Sequence, residues 1–276
     1  MEFVVPPGRG GVDLVKELPT THDKLYARWY QKWEDGYDFS DRNHGGGLHA
    51  GPRNYLGASD NRPDGSWFGS WIEPATGGDL DGRLNFYTYY RGMYQNCINP
   101  YGSCWGDTFP CMVDEGYYCE KEEHRETEMT PVLETDRWYC IEMMVDAGTP
   151  VQIDSLADGR QTMWIDEVEY GPWENLWFRT SSNVKIGILW ISRFHHEEHS
   201  DASTYYDNIV VSTTRIGCLG NIPPPDPISV QCTNADSNSS GVISNQEMDD
   251  YIELWIDDDV NLSDLFNVID KWKNGC

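Results

Sequence analysis

The sequence predicts a mostly β protein: a sandwich of two sheets, followed by a small α-helical module. Three observations carry this. Apolar and polar residues alternate with a period of two along Leu25–Trp33, Arg83–Arg91 and Trp138–Val145, the spacing of half-buried strands. Further strand-like runs return in quick succession at Gln161–Val168, Lys185–Phe194 and Tyr205–Ser212, with turn residues between them, as in a sandwich rather than in βαβ units. Beyond a proline-rich stretch, Leu219–Val230, the apolar spacing becomes helical, with Met248, Tyr251, Ile252 and Trp255 on one stripe.

Length sets the domain plan. A chain of 276 residues accommodates one large β-domain at 1–218, a linker at 219–231 and a small module at 232–276. Residues of about 92–136 form a long insertion holding Cys97, Cys104, Cys111 and Cys119, expected to be stapled. Those gaps are too wide for a zinc knuckle pair. With Cys140, Cys218, Cys232 and Cys276 the cysteines number eight, which favours disulfides and a secreted or cell-surface location. The opening residues MEFVVPPGRGG lack the basic and apolar regions of a signal peptide, so a signal is expected upstream of them. A net charge of −26 opposes nucleic acid or an anionic membrane as a partner, because phosphates are repelled. No run of about 18 apolar residues is present, so no membrane span is predicted. The 12 Trp and 16 Tyr fit a β-rich protein and suit stacking on sugar faces.

In chain order, Glu2–Val5 reads as the tail of a strand and Val12–Leu18 as a short segment ending in a Pro-Thr-Thr turn. In Leu25–Trp33, residues Leu25, Ala27, Trp29, Gln31 and Trp33 share one face. Tyr26, Arg28, Tyr30 and Lys32 share the other, which is expected to line a groove. A glycine-rich loop follows, where Gly45, Gly46 and Gly47 are expected to turn the backbone tightly beside His44 and His49. Ser66–Ile72 reads as a strand. In Arg83–Arg91, Leu84, Phe86 and Tyr90 are expected to face the core, while Arg83, Asn85, Tyr87, Tyr89 and Arg91 form a polar groove floor. In Trp138–Val145, Tyr139, Ile141, Met143 and Val145 form the core face, leaving Glu142 as a candidate groove carboxylate. The run from Phe194 to His199 satisfies an H-x-x-E-H pattern, but it leaves a strand and enters a loop. His195 is therefore read as a loop residue beside the groove rather than a zinc ligand.

The C-terminal module carries a calcium loop, DSNSSGVISNQE. Asp236, Asn238, Ser240, the Val242 carbonyl, Ser244 and Glu247 fall at its ligand positions, and Gly241 supplies the sharp turn. Ca²⁺ is a hard cation that takes six to eight oxygens, and this spacing curls them around one point. A second helix is capped by Ser263 and buries Leu265, Val268, Ile269 and Trp272. A core this small needs the metal or a Cys232–Cys276 staple. These residues resemble the dockerin-like modules of secreted polysaccharide-active proteins. That resemblance implies a cohesin-like or cell-surface docking partner.

From Lys24 to Thr213 the order of segments resembles the alginate lyase and glucuronan lyase families, whose members are concanavalin-like β-jelly rolls. The resemblance rests on LYARWYQKWEDGYDF, the glycine-rich stretch at His44–Gly51, RLNFYTYY, WYCIEMMV, the hairpin at Asp158–Asp166, NLWFRT and STYYDNIVV. It implies a secreted enzyme that cleaves a uronate-containing polysaccharide by β-elimination. The family's catalytic lysine falls on His44, its serine on Ser66, an arginine two residues later on Phe68, and its Tyr-x-Tyr pair on Tyr87 and Tyr89. In that reaction a base removes the proton α to a uronate carboxylate, an acid protonates the leaving oxygen, and the carboxylate charge must be neutralised. His44 suits base or neutraliser and Tyr87 or Tyr89 suits acid, with Arg53 or Arg91 available for the missing arginine. Arg83, Asn85, His49, His195 and Glu142 complete the expected substrate-binding set. Two other functions compete: a glycoside hydrolase using Glu142 and another groove acid, or a glycan-binding protein without turnover, displayed through the calcium module.

Overall fold

The computed structural model describes residues 1–4, 10–39, 43–56, 62–75, 82–93, 105–110, 130–195 and 203–219. Two compact units divide the chain, Met1–Cys218 and Leu219–Cys276. The calcium loop, its flanking helices, Cys232, Cys276 and the four insertion cysteines lie outside the described residues, as do His196 and His199. No helix among the described residues is long and apolar enough to cross a membrane.

The first unit is a two-layer antiparallel sandwich. In chain order its strands are β1 (Glu2–Phe3), β2 (Gly10–His22), β3 (Lys24–Trp33), β4 (Asn43–Ala50), β5 (Phe68–Pro74), β6 (Leu84–Tyr89), β7 (Asp107–Phe109), β8 (Trp138–Asp146), β9 (Gly159–Ile165), β10 (Val168–Leu176), β11 (Ile186–His195) and β12 (Thr204–Ser212). One sheet has the order β1-β12-β3-β8-β9-β10, the other β2-β11-β4-β5-β6-β7.

Alternation places the core where the sequence predicts. Leu25, Ala27, Trp29 and Trp33 of β3 are buried against Tyr139, Ile141, Met143 and Val145 of β8 and against the second sheet's Leu48, Phe68, Ile72, Leu84 and Phe86. Each large apolar side chain buried here is worth about 1.5–3 kcal/mol. A polar bridge crosses this core: Gln161 Oε1 of β9 accepts from Ser70 Oγ of β5 at 2.8 Å and from Thr88 Oγ1 of β6 at 3.1 Å. Thr88 therefore takes the inward position between Phe86 and the end of β6. Tyr90 is buried just past that end, where its hydroxyl donates to Asp107 Oδ2 at 2.7 Å.

Two expectations about local structure are corrected. The Pro-Thr-Thr segment is not a turn, because β2 runs on through it to His22. As the edge strand, β2 tolerates Pro19, which has no N–H to give a ladder. The β11 register jumps from Glu17 to His22 around it. The glycine-rich stretch is likewise strand, not loop, and Gly45, Gly46 and Gly47 do not have positive φ. Their use is close approach. A Cβ on Gly46 would lie 2.7 Å from Ile191 Cδ1, and one on Gly47 would lie 2.7 Å from Trp71 Cδ1.

The tail after β12 crosses the outer face of the first sheet. Ile216 and Gly217 donate their backbone N–H groups to the two carboxylate oxygens of Glu142, at 2.7 and 2.8 Å. Arg215 lies over the Trp164 ring and pairs with Glu167, which also accepts from the Cys218 N–H. A Cys140–Cys218 disulfide closes the strap.

Candidate functional site

The second sheet brings together five of the residues the sequence singles out, His44, His49, Asn85, Tyr87 and Tyr89. On β6, Phe86 and Thr88 face the core, so Asn85, Tyr87 and Tyr89 face outward. On β5 the same alternation sends Gly69, Trp71 and Glu73 outward. Cross-strand register then sets Glu73 beside Asn85, Trp71 beside Tyr87 and Gly69 beside Tyr89. On the other side of β5, Trp71 pairs with Gly47 and Gly69 with His49. Thr108 of β7 flanks Tyr87, and Trp190 of β11 flanks Gly47.

Glycine makes this surface possible. The Trp71 ring packs edge to face with Trp190 at 5.4 Å and with Tyr89 at 5.7 Å. It lies against Gly47 and Gly69, where a Cβ would come 2.7 Å from Cδ1 and 2.6 Å from Cζ2. A second group of rings continues the surface: Tyr55 stacks on Trp67 at 5.2 Å with 6° between planes, and Trp67 stacks on Tyr89 at 6.0 Å.

His44 stands at the centre of the polar groups. Its Nδ1 is 2.8 Å from Glu73 Oε2. A carboxylate only accepts, so Nδ1 carries the proton and Nε2 is left as the basic nitrogen. The imidazole lies 6.0 Å from the Tyr87 ring and 5.9 Å from Phe194. The Tyr87 and Tyr89 hydroxyls are 3.1 Å apart. Burial acts to lower the His44 pKa, but the Glu73 carboxylate, through charge and hydrogen bond, and the charge of Asp13 outweigh it and leave the pKa raised above 6.5. Burial, then Tyr89 and Glu73, hold Tyr87 protonated far above the ordinary phenol range. His49 behaves oppositely: burial lowers its pKa to about 4. Its Nε2 donates to the Pro52 carbonyl at 3.2 Å, so the neutral ring keeps Nδ1 as an acceptor.

Other expected site residues lie elsewhere. Ser66 is exposed in the turn before β5, where its hydroxyl and N–H both donate to Asp64 Oδ1. Phe68 faces the core against Phe178. The family's serine-arginine spacing, carried onto Ser66 and Phe68, is therefore out of phase with the outward positions of β5. Arg53 sits in a short 3-10 turn, 4.0 Å from Glu17, with both side chains mostly exposed. Arg83 donates to the Thr130 carbonyl. Arg91 follows β6, lies over the Trp177 ring at 4.6 Å and donates to the Asp64 carbonyl at 2.9 Å. Glu142 belongs to the other sheet and is occupied by the tail, so it is not a carboxylate of this face. The outer face of β3, expected to line the groove, also belongs to that other sheet. His195 ends β11, opposite Asn43, and its side chain lies outside the described residues. Sequence reasoning passed over Glu73. The signal was present, because Glu73 stands two residues after Trp71 on the same strand face.

No protein-family model matches the chain, and no curated protein matches it. Among solved structures it is similar to the alginate lyase vAL-1 from Chlorella virus, at 13% identity and a TM-score of 0.54, over 77% of this chain and 84% of that one. It is also similar to a mutant of alginate lyase Aly36B in complex with alginate trisaccharide, at 16% identity and a TM-score of 0.49, over 78% and 80% of the two chains. A third is the marine PL-14 alginate lyase from Aplysia kurodai, at 12% identity and a TM-score of 0.48, over 74% and 83%. At 13% identity the likeness to the viral protein establishes a shared sandwich fold.

Proposed function

We propose that this protein is a secreted polysaccharide lyase working on the outer face of the β2-β11-β4-β5-β6-β7 sheet. One observation carries the reading: the His44–Glu73 pair at 2.8 Å stands beside two tyrosine hydroxyls 3.1 Å apart. That is a base and an acid in one place. Glu73 holds the Nδ1 proton, and His44 Nε2 takes the proton α to the uronate carboxylate. The C–O bond at the β carbon then breaks as the carbon–carbon double bond forms. Tyr87, whose proton is held by burial, or Tyr89 gives its proton to the leaving glycosidic oxygen. The N–H of Trp71 and the hydroxyl of Thr108, both buried without a partner, are suited to receive the uronate carboxylate, the task the sequence resemblance gave to an arginine.

The test is an ultraviolet assay for unsaturated uronate ends. His44→Ala and Tyr87→Phe are each expected to slow product formation by about 10²–10⁴-fold, the usual worth of a general base or acid. Wild-type-like rates in both variants would remove this site from the reaction. A second reading, glycan binding without turnover, is favoured by the ring surface of Tyr55, Trp67, Tyr89, Trp71 and Trp190. It predicts polymer retention with no new chromophore.

The loop Asp236–Glu247 is proposed, on its ligand spacing, to bind Ca²⁺ and to serve docking to a cohesin-like or cell-surface partner.

A further inference from the structure

Among the described residues, the outer face that carries His44 sets two carboxylates beside that ring and holds uncharged buried acceptors. Two carboxylates, Glu73 and Asp13, act on His44. Asp13 also accepts from Trp190 Nε1 at 2.8 Å, which ties its carboxylate to the ring surface. Glu17, on the same edge strand as Asp13, meets Arg53 at 4.0 Å. The two carboxylates of Glu73 and Asp13 outnumber the single imidazole of His44, so this corner is negative whether that ring is neutral or protonated.

Beyond the Trp71 N–H and the Thr108 hydroxyl, which suit the one uronate that is cleaved, two further unpartnered atoms on this face point the same way. His49 Nδ1 and Asn85 Oδ1 are buried acceptors without a hydrogen bond. His49 is fully buried and its other nitrogen is committed to Pro52; Asn85 is 5% exposed and its amide N–H is committed to the Phe86 carbonyl. A buried acceptor left unpaired costs about 1–3 kcal/mol, so a ligand that donates to it gains accordingly. A sugar hydroxyl donates, whereas a carboxylate does not. The ring surface around these acceptors suits the apolar faces of uncharged sugars.

We infer that the substrate is a heteropolysaccharide in which the cleaved uronate is flanked by neutral sugars, rather than a polyuronate. The inference rests on the lyase reading for the cleavage step, but the charge preference is separately measurable as binding. A polyuronate would bring a carboxylate on every neighbouring sugar toward Glu73, Asp13 and two acceptors that cannot use it.

The experiment compares deacylated gellan, in which single glucuronates are separated by neutral sugars, with alginate and glucuronan at low salt. Unsaturated ends report turnover, and retardation of the His44→Ala variant in gels containing each polymer reports binding. Turnover on gellan at least about tenfold above either polyuronate, with matching retardation, is the expected result, because like charge slows encounter and weakens binding at low ionic strength. Added salt should narrow the gap, and so should Asp13→Asn. Equal or faster turnover of a polyuronate at low salt overturns the inference and leaves the lyase reading standing. If no polymer yields unsaturated ends, the lyase reading fails, and retardation decides the rest. Selective retardation by gellan upholds the charge preference, while equal retardation by all polymers, or by none, overturns it.

Discussion

The two outer faces of this sandwich use the same alternation to opposite ends. On the first sheet, β3 presents Lys24 and Lys32, and each meets an acid: Lys24 is 3.9 Å from Asp146 and Lys32 is 3.0 Å from Asp136. Glu142 is filled by two backbone N–H groups of the tail, and a disulfide fixes the strap. On the second sheet the acids answer a histidine, the rings lie over glycines, and Trp71 Nε1, Thr108 Oγ1, His49 Nδ1 and Asn85 Oδ1 stay unpaired. The tail has taken up Glu142 on the first face, where Arg28 Nε and Nη1 stay buried and unpaired, whereas no such strap meets the acids of the second face among the described residues. Charged residues by themselves do not mark a site. Whether the protein has already used their hydrogen bonds is more informative.

The largest effect that separates the faces is expected from the strap. Replacing Cys140 and Cys218 together with serine should lower unfolding stability by about 4 kcal/mol, read from urea denaturation, because the bridge closes a loop across a sequence separation of 78. The specific activity of the folded variant should be unchanged. A loss of activity without a loss of stability would show that the two faces are coupled.

Next in size is an acid-induced loss centred on His49. Its folded pKa is about 4 against an ordinary 6.5, so between those values the unfolded chain binds the extra proton. The associated stability is fully present above pH 6.5 and is lost as pH falls toward 4. The whole window is worth about 3 kcal/mol. In His49→Gln that stretch of the stability–pH curve should flatten. A curve parallel to the wild type would mean that His49 is not held neutral in the fold.

The smallest effect is a displacement of a pH profile. If neutral His44 is the base, the acid limb of the wild-type rate lies above pH 6.5, because Glu73 and Asp13 outweigh burial. In Glu73→Gln, burial opposes Asp13 alone, so the limb should move to lower pH, with the maximal rate reduced by less than about 10²-fold for a positioning residue. A rate that falls equally at every pH would make Glu73 structural only.

Much of this was legible in the sequence, and the gaps have physical causes. The faces of β3 and β8 followed from period-two spacing, because both strands run regularly through the sheet. Tyr87 and Tyr89 were found on one face of β6 for the same reason. The triple glycine was misread because glycine serves a tight turn and a close ring approach equally well, and only the position of Trp71 decides between them. Ser66 and Phe68 came from the family resemblance alone; Ser66 precedes β5, and Phe68 begins it on the core face, the phase opposite to Gly69, Trp71 and Glu73. Glu73 was missed because the expected strand stopped at Ile72, one residue short of it, whereas β5 runs to Pro74. The role of Glu142 depends on a contact with Ile216 and Gly217, more than 70 residues away, which no local pattern reveals.

The strap also has a mechanical meaning. Tension reaching Cys218 from residue 219 onward meets the sulfur bridge to Cys140 before it meets any hydrogen bond of β12. The load therefore enters β8, an interior strand held on both sides by β3 and β9, and the β12–β3 ladder is spared from being peeled apart one bond at a time. The sandwich behind such a coupling would keep its shape while the chain is pulled.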